Sequence, residues 1–184
     1  MKKTAGWLLV LLLLTAIGGF ARGGRDPLSP AEITELRESA QEPDRRILAF
    51  VKFIRARADS LEKLRSDPRF TDDRLGQIHD LLDDITILID ELDDNIDTYD
   101  ARRGADLRKP LKSVIELNTD MQTRLRALAR TGVATQARPE DAKQYAFVLQ
   151  NAMEAVDQSL DAARHTLQAE EERLKAEKDA KKKK

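Results

Sequence analysis

One stretch of this sequence leaves the chain almost no choice of fold. From residue 75 to 99 runs an apolar series of Leu75, Ile78, Leu82, Ile85, Ile89, Leu92, Ile96 and Tyr99. Their spacing alternates between three and four without a miss. A helix turns once in about 3.6 residues, so this spacing draws a single oily edge along a helix. A half-buried strand needs alternation at every second residue, and no such run competes. The edge reads as the a and d positions of a heptad seam and must be covered by other helices.

The rest of the chain supplies the cover. In 44–66 the apolar set is Ile47, Val51, Ile54, Ala58, Leu61 and Leu64. A third seam runs Leu107, Leu111, Val114, Asn118, Met121, Leu125 and Leu128. A fourth runs Ala142, Ala146, Leu149, Met153, Val156, Leu160, Ala163 and Leu167, with Leu174 beyond it. The boundaries are marked by chemistry. Ser29, Pro30 and Glu32 make a capping box, and Leu28 with Ile33 has staple spacing. Pro43 interrupts the first pattern, giving helices over 30–41 and 44–66, or one helix kinked there. Asp67 and Pro68 end it. Thr71 caps the next helix, with Phe70 and Leu75 as a staple, and Gly104 suits its end. The third helix starts near Asp106 or Pro110 and stops at Gly132. Pro139, Glu140 and Asp141 open the last.

These segments predict an all-α fold. It is an antiparallel up-down-up-down four-helix bundle over 29–170, with the first helix kinked or split at Pro43. Short links favour a monomer over a dimeric coiled coil made through the 75–99 seam. Residues 22–28 read as a flexible tether, and 171–184 as a charged, frayed tail.

The first 21 residues read as an address. Lys2 and Lys3 precede a run rich in Leu, and Gly19 and Ala21 offer small residues two apart. This is the three-part pattern of a secretory signal cleaved after Ala21. The uncharged run 4–21 also has the minimum length for a membrane anchor. In both readings the helical part is exported to a periplasmic or extracellular space, and membrane contact follows only if the segment stays uncleaved.

Several chemistries are excluded or unsupported. The chain has no Cys, which removes disulfides, thiolate metal sites and Cys nucleophiles. It has no Gly-rich phosphate loop, zinc-protease motif or nucleophile elbow. Its net charge of −1 gives no general attraction to nucleic acid. No cofactor or metal is expected. His79 and His165 are the only histidines, and neither matches the depth of Met121 or Met153 as a haem ligand pair.

The feature with functional content is the acid on 72–100. Asp83, Asp84, Asp90, Glu91, Asp94 and Asp97 avoid the seam positions, which places them on the outer face, with Ile87 among them. Basic residues in 44–69 and 101–130 are expected to neutralise much of this charge across helices. What remains is a solvated face or a contact for a partner; the candidate contact residues are Asp83, Asp84, Ile87, Asp90, Glu91 and Asp94. Phe50 and Phe53, with Tyr145 and Phe147 as possible partners, form a core cluster or line a pocket. Asn118 in an apolar seam reads as a device that fixes register. The expected function is therefore non-enzymatic, an exported bundle acting through contact with a protein partner. The alternative is a bundle that binds a small ligand or cofactor.

Overall fold

The computed structural model describes residues 25–66, 74–102, 105–130 and 139–182. The expected leader over 1–21, the Thr71 cap with Phe70, the glycines at 104 and 132 and the loop 132–138 lie outside them. Five helices make up the described secondary structure, with no strand among the described residues: α1 (Pro30–Glu38), α2 (Pro43–Ser66), α3 (Arg74–Arg102), α4 (Arg108–Arg130) and α5 (Pro139–Lys182). They pack as a helical bundle around one apolar core.

The capping box forms as its residues predict. The Glu32 amide donates to Ser29 Oγ, and the Ser29 amide donates to Glu32 Oε2. Pro43, however, does not kink one long helix. It opens α2, where its missing N–H is no loss, and α1 folds back along α2. Arg46 donates to the Leu36 carbonyl, Lys52 pairs with Glu35 and Arg57 pairs with Glu32. Later residues of α2 meet earlier residues of α1, so the two run antiparallel. The 30–66 segment is a hairpin, and α1 is a short flap beside the bundle.

The longer helices touch in a ring. α2 packs on α3 and α4, and α5 packs on α3 and α4. Side-chain pairs give the directions. Arg46 of α2 reaches Asn95 of α3, while Arg57, later in α2, feels the earlier Asp84; these helices are antiparallel. Gln122 meets Asp157, and the later position 128 lies beyond it, whereas the earlier Lys112 meets Glu171, so α4 and α5 are antiparallel too. Across α3 and α5, His79 meets Gln144 and Asp93 meets Ser159, later with later, which makes that pair parallel. Arg55–Glu116 and Asp59–Arg124 make α2 and α4 parallel in the same way.

The α3 seam is buried from Ile78 to Tyr99, and Leu88, off the seam, is buried as fully. Its apolar face is wider than a two-stranded seam because the helix contacts two neighbours. On α5 the buried line is Tyr145, Val148, Leu149, Ala152, Val156, Ser159, Leu160 and Ala163. Ala146, expected on the seam, is exposed. The helix also runs unbroken to Lys182, past the expected end at 170. Its last turns are exposed but keep helical side-chain pairs, Gln168 with Glu172 and Arg173 with Glu177. Lys181 and Lys182 suit the negative end of its dipole. No helix among the described residues is long and apolar enough to cross a membrane.

Candidate functional site

Placing the candidate contact residues on α3 separates them into three environments. Asp83, Asp90, Glu91 and Asp94 are exposed, as their positions off the seam require. Ile87 is half-buried rather than open. Asp84 departs from the outer face altogether. It is 7% exposed, and Arg25 donates to its Oδ2 at 2.6 Å. It sits immediately before the seam residue Ile85, on the edge of α3 that the N-terminal strand of chain covers. Burial still pushes its carboxyl above the ordinary range, against the pull of Arg25.

That strand is the segment expected as a tether. From Arg25 to Leu28 it is held by three contacts. Arg25 binds Asp84, the Pro27 carbonyl accepts from Arg57, and Leu28 packs against the core. The cleft between strand and helices is about 360 Å³, with Arg25, Pro27, Ser29, Arg57, Ser60 and Asp84 in its walls. Its charged groups already face one another, since Arg57 is engaged by Glu32 and Pro27, and Asp84 by Arg25.

Neutralisation of the acidic face by neighbouring helices does not take place. Asp83, Asp90, Asp94 and Asp97 make no ion pair among the described residues. The basic side chains that were expected to meet them point elsewhere. Lys52 pairs with Glu35, Arg57 with Glu32, Arg55 with Glu116, and Arg124 with Asp59 and Asp120. The flap α1 takes Lys52 and Arg57, and the parallel α2–α4 contact takes Arg55, into ion pairs away from the exposed acids of α3. The Asp90 carboxyl is pushed up by partial burial and then by Asp94, and that of Glu91 by burial and then Asp26. The result is a ridge of carboxylates along the exposed side of α3; the nearby Arg46 of α2 eases the charge of Glu91 but is bound to Asn95 and the Leu36 carbonyl rather than to an acid of the ridge.

A second polar group was hidden from the periodicity. Asn118 Nδ2 donates to Ser159 Oγ at 2.9 Å, and Ser159 Oγ donates to Asp93 Oδ1 at 2.7 Å. The chain crosses from α4 through α5 to α3. Asn118 and Ser159 are fully buried, and Asn118 Oδ1 has no partner. Burial, followed by Asp97, Asp90 and Asp94, raises the Asp93 carboxyl to about 6, although the Ser159 hydrogen bond pulls it down. Spacing could have found both missed residues. Asp93 follows Ile89 by four and precedes Ile96 by three, and Ser159 follows Val156 by three.

The remaining candidates resolve simply. Phe50 and Phe53 are buried in the core, with Arg46 and Lys52 over their rings at 5.8 and 5.4 Å. Tyr145 is buried, whereas Phe147 is 61% exposed and joins no aromatic cluster. Two residues along a helix turn the side chain to nearly the opposite face. His79 lies 3.2 Å from Gln144 at the surface and His165 is exposed. Among the described residues no group of three His, Asp or Glu is placed to hold a metal ion. No protein-family model, no curated protein and no solved structure matches the chain.

Proposed function

We propose that this is a non-enzymatic, exported helical protein that presents the acidic ridge of α3 to a basic surface of a protein partner. In this reading α2 to α5 form a four-helix bundle of two αα-hairpins, α2/α3 and α4/α5. The bundle is a rigid rod that holds the ridge in line. The observation that carries the reading is the set of exposed carboxylates, Asp83, Asp90, Asp94 and Asp97, left without ion pairs while the cations around them are engaged by other acids. Like charges set three and four apart on one helix repel one another. A cationic partner relieves that repulsion, and a fold with no use for the charge has no reason to concentrate it there.

The test compares the wild type with the triple variant Asp83→Asn, Asp90→Asn, Asp94→Asn, each immobilised and exposed to an envelope extract. The expected result is a partner retained by the wild type at low salt, released as salt shortens the Debye length below about 10 Å, and absent from the variant. Equal capture by both proteins refutes the reading. Export has its own check, because the N-terminus of protein recovered from fractionated cells should begin at Arg22. The arrangement of hairpins is tested with His79→Cys and Gln144→Cys. The chain has no other thiol, so a short thiol cross-linker should join this pair.

A further inference from the structure

The two hairpins meet through an apolar interface that contains one buried polar crossing. Asp93 belongs to the α2/α3 hairpin, and Ser159 and Asn118 to the α4/α5 hairpin. Hydrogen bonds of 2.9 and 2.7 Å link them in sequence, so all three sit at one level of the bundle. The crossing is directional. Ser159 has a single hydroxyl proton, and it points at Asp93. The amide of Asn118 fills the hydroxyl's acceptor side, which leaves Asn118 Oδ1 with nothing.

The electrostatics of the crossing are one-sided. The charges that weigh on Asp93 are Asp90, Asp94 and Asp97 of its own helix. From α5 it meets Ser159, whose neighbour Asp157 is bound by Gln122 of α4. From α4 the nearest polar group is Asn118. Arg46 is the nearby cation of α2, and it is engaged by Asn95 and the Leu36 carbonyl. An ionised Asp93 is thus a half-submerged anion without a counterion, held by one hydroxyl. A protonated Asp93 is a neutral hydrogen-bonding group that fits the same gap.

We propose that the Asp93–Ser159–Asn118 crossing is a proton-operated latch between the hairpins: ionising Asp93 tightens its one hydrogen bond from Ser159 but leaves a half-submerged charge with no counterion, and the net result is a looser hold than the protonated form gives. The proposal rests on the two-hairpin arrangement given above. Its pH range follows from the carboxyl, which titrates near 6 in the folded chain against 3.8 ordinarily. The folded state holds the proton more tightly, so stability is full below 3.8, declines as pH rises through that interval and levels off above 6. The size of the effect is on the order of a hundredfold in the unfolding equilibrium constant. Glu32 and Asp106 titrate in the opposite sense, but their contributions change only below 4.5 and 3.8, at and under the acid end of this range.

The experiment is denaturant unfolding of the wild type, Asp93→Asn and Ser159→Ala at several pH values from 4.5 to 7.5. The amide in Asp93→Asn keeps an acceptor for Ser159 and cannot ionise. It should remove Asp93's share of the wild-type pH dependence, leaving the same-sense contributions of Asp84, Asp90 and Glu91, and make the variant the more stable protein at pH 7.5. Ser159→Ala removes the one bond that favours the anion, so its pH transition should move upward. Superimposable pH curves for wild type and Asp93→Asn overturn the latch, as does an unmoved transition in Ser159→Ala. Cross-linking of His79→Cys with Gln144→Cys separates the two failures. A formed cross-link with coincident pH curves removes the latch alone, and no cross-link removes the arrangement and the latch together.

Discussion

Glu32 holds α1 to the bundle, and replacing it with Gln should free the flap while leaving the bundle folded. Its carboxylate accepts from both terminal nitrogens of Arg57, and the two side chains are 16% and 15% exposed. The Arg57 hydrogen bond leads the causes that lower its pKa from 4.5 to about 2. A shift of that size corresponds to at most about 3.4 kcal/mol. The pair is part-buried, so the cost of taking both charges out of water offsets much of this and about 1–2 kcal/mol is the realistic contribution. Glu32→Gln keeps one acceptor oxygen for the Ser29 amide, so the cap survives, while the charge and one of the two hydrogen bonds from Arg57 are lost. Hydrogen exchange over 25–42, read by mass spectrometry at pH 7, is the direct assay. An opening free energy lower by 1–2 kcal/mol speeds exchange there roughly 5- to 30-fold. Exchange in the centres of α3 and α5 should stay within twofold. A depressed carboxyl pKa contributes stability above 4.5 and loses it as pH falls towards 2, so the wild-type flap should open in that window and the variant should show no such transition. Unchanged exchange over 25–42, or acceleration spread evenly over all five helices, would refute the reasoning.

Other outcomes follow from particular environments. Leu88 is fully buried off the seam, and Leu88→Ala should lower stability by about 2–5 kcal/mol in urea unfolding; an effect below 1 kcal/mol would place it outside the core. Phe147→Ser changes an exposed side chain and should alter stability by less than about 0.5 kcal/mol in the same assay. Tyr99→Phe removes a hydroxyl that donates to the Ala40 carbonyl at 3.3 Å; a loss of about 1 kcal/mol is expected by thermal melting. Arg173→Ala leaves Glu170, which is 3% exposed, without its cation, and limited proteolysis should cut earlier within 168–182 than in the wild type.

The sequence made the helices legible because their apolar positions follow one rule that burial then enforces. The seams of α2, α3 and α4 lie where three-and-four spacing puts them, and Asn118 was visible as the odd member of its seam. Asp93 and Ser159 keep the same spacing but stay hidden, because each lies next to an apolar residue, Leu92 or Leu160, that fills the seam in its place. Their partnership crosses 66 residues of sequence, and no local spacing encodes it. The acidic ridge was legible as composition, but its lack of counterions was not. Whether Arg55, Arg57 and Arg124 would meet α3 depended on where α1 folds and which helix sits beside α2.

That last dependence is the deeper reason. Four helices of alternating direction can close a ring in more than one order, and each order buries the same seams. The simplest order sets α3 beside α4, its neighbour in sequence. Here α3 and α4 lie on a diagonal, with α5 between them on one side and α2 on the other. Apolar area alone does not choose between the two rings. Polar groups do, because only this ring gives Ser159 both of its partners; with α3 beside α4 instead, Asn118 could keep Ser159 but Asp93 would lose it. A group that costs stability in its ionised form can therefore still select the fold, by costing more in every competing arrangement.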